Sequence, residues 1–361
     1  MLLHKIALTL IPKIGDKTAR KLLSIYPDVS DIFLAKPKDL IAAGFSRAAI
    51  QSITKSDVMR MAEEELKFIE KNEIKTLFYA DENYPYRLRF CDDAPVLLYF
   101  KGNVNFDHPK ILSIVGTRMA TEYGKTICRR IIEDMASVVD IVIVSGLAHG
   151  IDTQAHTAAL DNNVPTIGVV AHGHDILYPR LNTKLAANML HNGAIITEFR
   201  SKTNPDRENF PKRNRIIAGL SDAVLVVEAA RKGGALITAE IANSYGREVF
   251  AVPGKIGDSY SEGCNNLISA NKAMLVQSAD DILTSMNWKP QKNRNKQLKL
   301  FVDLSEEESK LMIFIQKNEV VDIDTIIYKN ELSPTHAATL LLSLELKNLI
   351  QCMPGKRYSI S

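Results

Sequence analysis

Seven short runs rich in Val, Ile, Leu and Ala punctuate residues 76–288: ILSIVG, IVIVSGL, PTIGVVA, AIITEF, AVLVVEA, VFAVPG and AMLVQ. Stretches with helical spacing of apolar residues separate them. Strands that are apolar throughout, rather than at alternate positions, must be covered on both faces, and strands alternating with helices pair in parallel. The pattern predicts an extended, doubly wound, Rossmann-like α/β domain over residues 76–288. In that architecture ligands bind outside the carboxyl ends of the strands.

The flanks read differently. Residues 1–75 are predicted to be helical, with two glycine-marked hairpins. Residues 289–303, KPQKNRNKQLKLFVD, form a basic polar linker, and residues 304–361 a small helical unit with a β signal at its end. The net charge is only +3, so any nucleic-acid surface must be a local patch. Cys91, Cys128, Cys264 and Cys352 form no CxxC pair, which predicts reduced thiols in a cytoplasm. The N-terminus has no signal-peptide pattern, and no run approaches the ~18 apolar residues of a membrane span. A cytoplasmic protein without a membrane partner is expected.

The strand ends hold the candidate chemistry. The first ends in VGTR, where Gly116 permits a tight turn and Thr117 and Arg118 enter the crevice; a helix is predicted from near Ala120. There is no GxGxxG. GKT at 124–126 resembles the end of a P-loop, but the spacing from Gly116 is wrong and Lys125 reads as a solvated helix residue. The second strand closes on Ser145 and Gly146. Asp152 and His156 follow at i,i+4, with His149 nearby. That set could be a metal site, but local hydrogen bonding is the better reading, so no metal and no cofactor are expected. His172 and His174 read as loop hydrogen-bonders.

After the fourth strand comes FPKRNR. Phe210 offers a face for a base, and Lys212, Arg213, Asn214 and Arg215 crowd a predicted helix start near Lys212. Basic side chains there oppose the helix dipole unless an anion is near. Residues two apart on a helix project about 200° from each other, so Arg213 and Arg215 cannot share one role. One should face the crevice. The other should pair with an acid such as Glu198 or Glu228. Gly233–Gly234 opens the next helix as a phosphate cradle, and Lys255 and Asn265 stand at the sixth strand end. Together these residues point to an extended polyanion.

At SIVGTR, SGLAHGIDTQAH, ENFPKRNRIIAGLSDAVLVVEA, GGALITAEIANSYGREVFAVPG and SEGCNNLI the chain resembles the DNA-processing protein A (DprA/Smf) family. The resemblance covers most of residues 80–275. It implies a cytoplasmic homodimer that binds and protects single-stranded DNA and loads the recombinase RecA in natural transformation, without catalytic residues. By position, Arg118, the FPKRNR cluster and Gly233–Gly234 would line the DNA pocket. His149 stands where the family usually has Arg, and KGGA replaces Ser-Gly-Ser.

LIPKIGDKTARKLL (10–23) resembles a helix-hairpin-helix (SAM-like) unit, with Ile14–Gly15 as hairpin, and IAAGFSRAAIQSI (41–53) repeats it weakly; packing is favoured over phosphate binding. At the other end, Ser333 caps a helix begun by Pro334, and PGKRYSIS follows as a wing. This reads as a winged helix whose presumed recognition helix carries only His336 and Lys347 as basic or titratable handles. A competing reading is a nucleotide phosphoribohydrolase-like enzyme using the Gly233–Gly234 turn, with Glu240 as general acid/base.

Overall fold

The seven apolar runs form strands β3 (Ile111–Val115), β4 (Val142–Ser145), β5 (Thr166–Val169), β6 (Gly193–Thr197), β7 (Ala223–Val226), β8 (Glu248–Ala251) and β9 (Met274–Leu275), all parallel. The sheet is larger than the sequence indicates. Two more strands, β1 (Lys75–Phe78) and β2 (Leu97–Asn103), extend one edge antiparallel, giving the order β1-β2-β6-β5-β4-β3-β7-β8-β9. This computed structural model describes residues 1–55, 57–288, 304–318, 320–347, 349–353 and 357–360. The basic stretch 289–303 lies outside them.

Side-chain alternation along the buried strands feeds two cores. Leu112 and Ile114 of β3 face one layer, packed with Ile131 and Ile132 of one helix, Ala155 and Ala158 of the next, and Ile282. Ile111 and Val115 face the opposite layer, with Ile216 and Ile217, Ala239 and Ala242, and Leu267.

Six helices precede the sheet: α1 (Leu2–Leu10), α2 (Asp16–Ile25), α3 (Val29–Leu34), α4 (Pro37–Ala42), α5 (Arg47–Lys55) and α6 (Val58–Lys71). Their apolar faces share one core with Phe78, Val96, Leu97 and Tyr99, so they lie on the antiparallel edge. Polar contacts fix this docking. Val96 N donates to Asp16 Oδ1 at 2.9 Å, Lys5 Nζ meets Asp81 at 2.6 Å, and Ser201 N donates to Glu65 at 2.9 Å. The first hairpin thus presents Asp16 to the sheet, in keeping with a packing role.

Then come α7 (Tyr86–Arg89), α8 (Glu122–Ala136), α9 (Ile151–Asp161), α10 (Thr183–Met189), α11 (Asn209–Leu220), α12 (Gly234–Ser244), α13 (Glu262–Ser269) and α14 (Ala279–Ser285). Two starts differ from expectation. Helix α8 begins at Glu122, because Thr121 caps it by accepting from Gly124 N at 3.2 Å. Helix α11 begins at Asn209, since Pro211 is tolerated in a first turn. The basic cluster therefore occupies the first two turns of α11.

The chain divides into two compact units, Met1–Lys289 and Pro290–Ser361. The second unit contains α15 (Glu306–Asn318), β10 (Val320–Asp322), α16 (Ile323–Lys329), α17 (Pro334–Leu346), β11 (Ile350–Met353) and β12 (Arg357–Ile360). Its antiparallel sheet runs β10-β12-β11 around Leu311, Ile315, Ile326, Leu341 and Leu344. Ser333 caps α17 through His336 N at 3.2 Å, with Pro334 in the first turn, as the sequence predicts. Residues 354–356 of the expected wing lie outside the described residues.

Candidate nucleic-acid interface

The carboxyl ends of β3, β4 and β7 and the starts of α11 and α12 enclose a cavity of about 260 Å3. Gly116, Thr117, Arg118, Phe210, Arg213, Asn214, Gly233 and Gly234 line it, as expected from their strand-end positions. Close approach of two loops shapes the entrance. Gly150 has φ +77°, and a Cβ there would lie 2.2 Å from Thr117 O. Only glycine fits, so α9 can begin directly behind the GTR turn.

Phe210 is half-buried at the mouth. The Arg118 guanidinium lies 4.8 Å from its ring centroid and that of Arg213 5.8 Å, and Tyr178 meets it edge-on at 6.1 Å. Arg118 is exposed, and no ion pair occupies it among the described residues. Gly233 opens α12 without a side-chain cap, and a Cβ there would touch nothing within 4 Å. The first N–H groups of α12 are therefore open to an anion.

The two arginines of FPKRNR have different jobs. Arg213 is buried and lines the cavity, but Nη1 donates to the carbonyls of Gly146 and Val169, and Nε to Asn214 Oδ1 at 3.2 Å. It ties two strand ends together beside the buried Asp152. Burial pushes the guanidinium down to about 10, although Asp152 favours its charge. Asp152 is itself raised by burial, against the pull of Arg213. Arg215 turns away from the cavity. It donates to Glu198 and, at 3.1 Å, to Asp16 Oδ2 of α2. Burial raises Glu198 to about 7 despite the Arg215 charge. Arg213 thus faces the cavity and Arg215 pairs with an acid, as the spacing predicts, but Nη1 and Nε of Arg213 hold protein acceptors where a phosphate partner was expected.

Other expected residues lie elsewhere. Ser145 is buried and donates to Ile114 O at 2.6 Å, so it closes the sheet rather than facing a ligand. Gly146 holds space for Arg213: a Cβ would lie 2.5 Å from Nη1. Lys212 is exposed, 4.0 Å from Glu208. Lys255 lines a separate cavity. Asn265 commits its amide to Gly254, accepting from N at 3.1 Å and donating to O at 3.0 Å. It fixes a loop and does not reach the Arg118 cavity.

The alternatives of metal and catalysis find little geometry. His156 is buried with Nδ1 2.7 Å from Thr166 Oγ1, and burial pushes it down to about 3. Its partner is thus Thr166, not Asp152. His172 and His174 bond to loop and strand backbone. Among the described residues no cluster of three His, Cys, Asp or Glu could hold a metal. Lys125 pairs with Glu122 at 2.7 Å on the surface of α8. Gly124 of the P-loop-like GKT packs on the Glu228 carboxylate, where a Cβ would lie 2.2 Å from Oε2. Glu240 is exposed, 3.6 Å from Lys272; it does not line the inner cavity but shares the outer groove with Arg118, Gly233 and Gly234.

Sequence reasoning missed Lys232, which lines the cavity, and an outer groove that continues from it past Arg118, Phe210, Arg207 and Arg231. The RK pair before GG is the signal that could have found them. It also missed Asp152 as the charge facing Arg213.

A mainly parallel α/β sheet with a cation-lined cavity at its strand ends, and a glycine-opened helix beside it, defines the class of protein. Residues 75–287 match the model of the DNA recombination-mediator protein A family, and the chain belongs to that family. It is 42% identical over 209 residues to DNA processing protein DprA of Streptococcus pneumoniae, covering 58% of this chain and 73% of that one. It is 38% identical over 283 residues to protein Smf of Escherichia coli, covering 76% and 74%. The solved S. pneumoniae DprA structure superposes with a TM-score of 0.69 at 32% identity, over 79% of this chain and 98% of that one. A Helicobacter pylori DNA processing protein A structure, described by its single-stranded DNA binding mode, gives 0.54 at 29% identity, over 60% and 96%.

Proposed function

We propose that this protein binds single-stranded DNA along the strand-end rim, protects it, and loads the RecA recombinase onto it during natural transformation. The observation that carries the reading is the meeting of Arg118, Phe210, Lys232 and the open start of α12 in one cavity that continues into a basic groove. Phosphates would take the cations and free N–H groups, and a base the Phe210 face. The H. pylori relative supports a single strand as ligand. The role is binding rather than catalysis, exercised as a cytoplasmic homodimer. No helix among the described residues is long and apolar enough to cross a membrane.

In this reading residues 1–75 are a packing module and 304–361 a winged helix that contacts protein more readily than DNA. The handles on and just after α17 already have acidic partners: His336 lies 3.0 Å from Glu307, and Lys347, the C-cap residue, 2.7 Å from Glu308. The test is fluorescence anisotropy with a single-stranded oligonucleotide and its duplex. The single strand should bind tighter, with log K falling against log salt at about −0.7 per phosphate contact. Equal affinity for both, or no salt dependence, would overturn the proposal.

A further inference from the structure

The Gly116–Thr121 turn and the end of β7 form a wall, joined by Thr117 N donating to Glu228 O at 2.8 Å. Behind it is a second cavity, of about 740 Å3, which includes Lys255. Its outer loop is firmly built. Asn265 clamps Gly254 from both sides, Ser261 packs where a Gly254 side chain would stand, and Ala229 N donates to Tyr260 O at 2.7 Å. Tyr123 reaches across from α8, its hydroxyl donating to Pro253 O at 2.9 Å. Tyr260 adds a second aromatic wall.

At the inner end lies Glu228, only 3% exposed. Its oxygens accept from Thr121 N at 2.9 Å and Thr121 Oγ1 at 2.5 Å, and no ion pair reaches it among the described residues. A carboxylate oxygen can accept two hydrogen bonds, and with Oε2 packed against Gly124 the position left to meet a ligand is the second one on Oε1. Lys255 and Asp258 share the rim.

Aromatic walls, an acceptor-only floor and a cation at the mouth match the parts of one nucleotide: ring face, exocyclic amine and phosphate. We propose that this second cavity is a base subsite for the same single strand, taking bases with an exocyclic amine (cytosine, adenine or guanine) in preference to thymine. A carboxylate can accept from cytosine N4, whereas it faces the carbonyl oxygens of thymine unfavourably. The inference rests on the single-strand reading above.

The test compares oligo(dC) and oligo(dT) of equal length, bound to the full chain and to its Arg118→Ala, Tyr123→Ala, Lys255→Ala and Glu228→Gln variants. Loss of one base stack should weaken oligo(dC) binding to Tyr123→Ala about 5- to 150-fold, and weaken oligo(dT) less. Glu228→Gln should narrow the ratio of the two affinities, and Lys255→Ala should weaken both. Should Glu228→Gln fail to fold, the two rim variants decide. If Tyr123→Ala and Lys255→Ala bind both strands like the parent while Arg118→Ala weakens both, the subsite is refuted and the single-strand function stands. A parent that binds neither strand overturns both.

Discussion

Replacing Arg215 by alanine should unfold the protein at lower temperature while leaving its DNA site intact. The guanidinium side chain is 11% exposed and holds two carboxylates, Glu198 (13% exposed) and Asp16 (31% exposed). Removing one partner of a buried ion pair costs about 3–5 kcal/mol, because the other charge stays buried. Asp16 can turn partly to water, so the lower end, ~3 kcal/mol, applies. For a unit spanning Met1–Lys289 that lowers the melting midpoint by about 5 °C.

The deficit should depend on pH. Burial holds Glu198 at about 7, above its ordinary 4.5, so the folded state binds the extra proton. The stability from that proton is fully present below the ordinary value and is lost as pH rises through 7. Arg215 pulls Glu198 down, so in Arg215→Ala the carboxyl is pushed higher still, and between pH 6 and pH 8 the parent releases this proton while the variant must hold it to avoid an unpaired buried charge. The gap between variant and parent should therefore widen over that interval. Circular-dichroism melts at both pH values measure it. Anisotropy with single-stranded DNA, well below either midpoint, should show parental affinity, since Arg215 does not line the cavity. Arg215→Met with Glu198→Gln should recover most of the loss. A variant that melts with the parent at both pH values, or that binds DNA as poorly as Arg118→Ala while fully folded, would refute the reasoning.

Arg118→Ala should show the opposite pattern: single-strand affinity falls by about 1.5–3 kcal/mol, the range for hydrogen bonds to charged groups, with the melting curve unchanged. Gly150→Ala should destabilise the first unit by about 1–3 kcal/mol, because φ +77° and contact with Thr117 O both resist a side chain, and a melt detects it. In the C-terminal unit, hydrogen bonds from Lys347, Ser343 and Ser305 N hold Glu308 down at about 2. Its contribution is present above the ordinary carboxylate range and lost as pH falls toward 2. Glu308→Gln should flatten the acid limb of that unit's unfolding curve.

The seven parallel strands were legible because burial on both faces leaves continuous apolar runs. β1 and β2 were not: KTLF is short, and the segment between them, from Tyr79 to Val96, carries few periodic cues. Arg118, Phe210 and Gly233–Gly234 were legible because strand-end position alone places them. The task of Arg213 was not, since choosing between a phosphate and a carbonyl depends on where Gly146 and Val169 end their strands. Nor was the partner of Arg215 fully visible. Glu198 is near in sequence and was among the acids foreseen, but Asp16 lies 199 residues away, and no spacing rule joins a hairpin to a distant helix.

The docking of α1–α6 bears on how this chain can be cut. The segment that matches the family model begins at residue 75, which suggests a convenient truncation point. A protein trimmed there would bare Phe78, Val96, Leu97 and Tyr99 along the sheet edge, an adhesive strip that invites self-association. It would also strip Arg215 of Asp16 one helical turn from Lys212. Expression trials of the isolated sheet domain should therefore give aggregates, and an inactive fragment would say nothing about whether the N-terminal helices touch DNA.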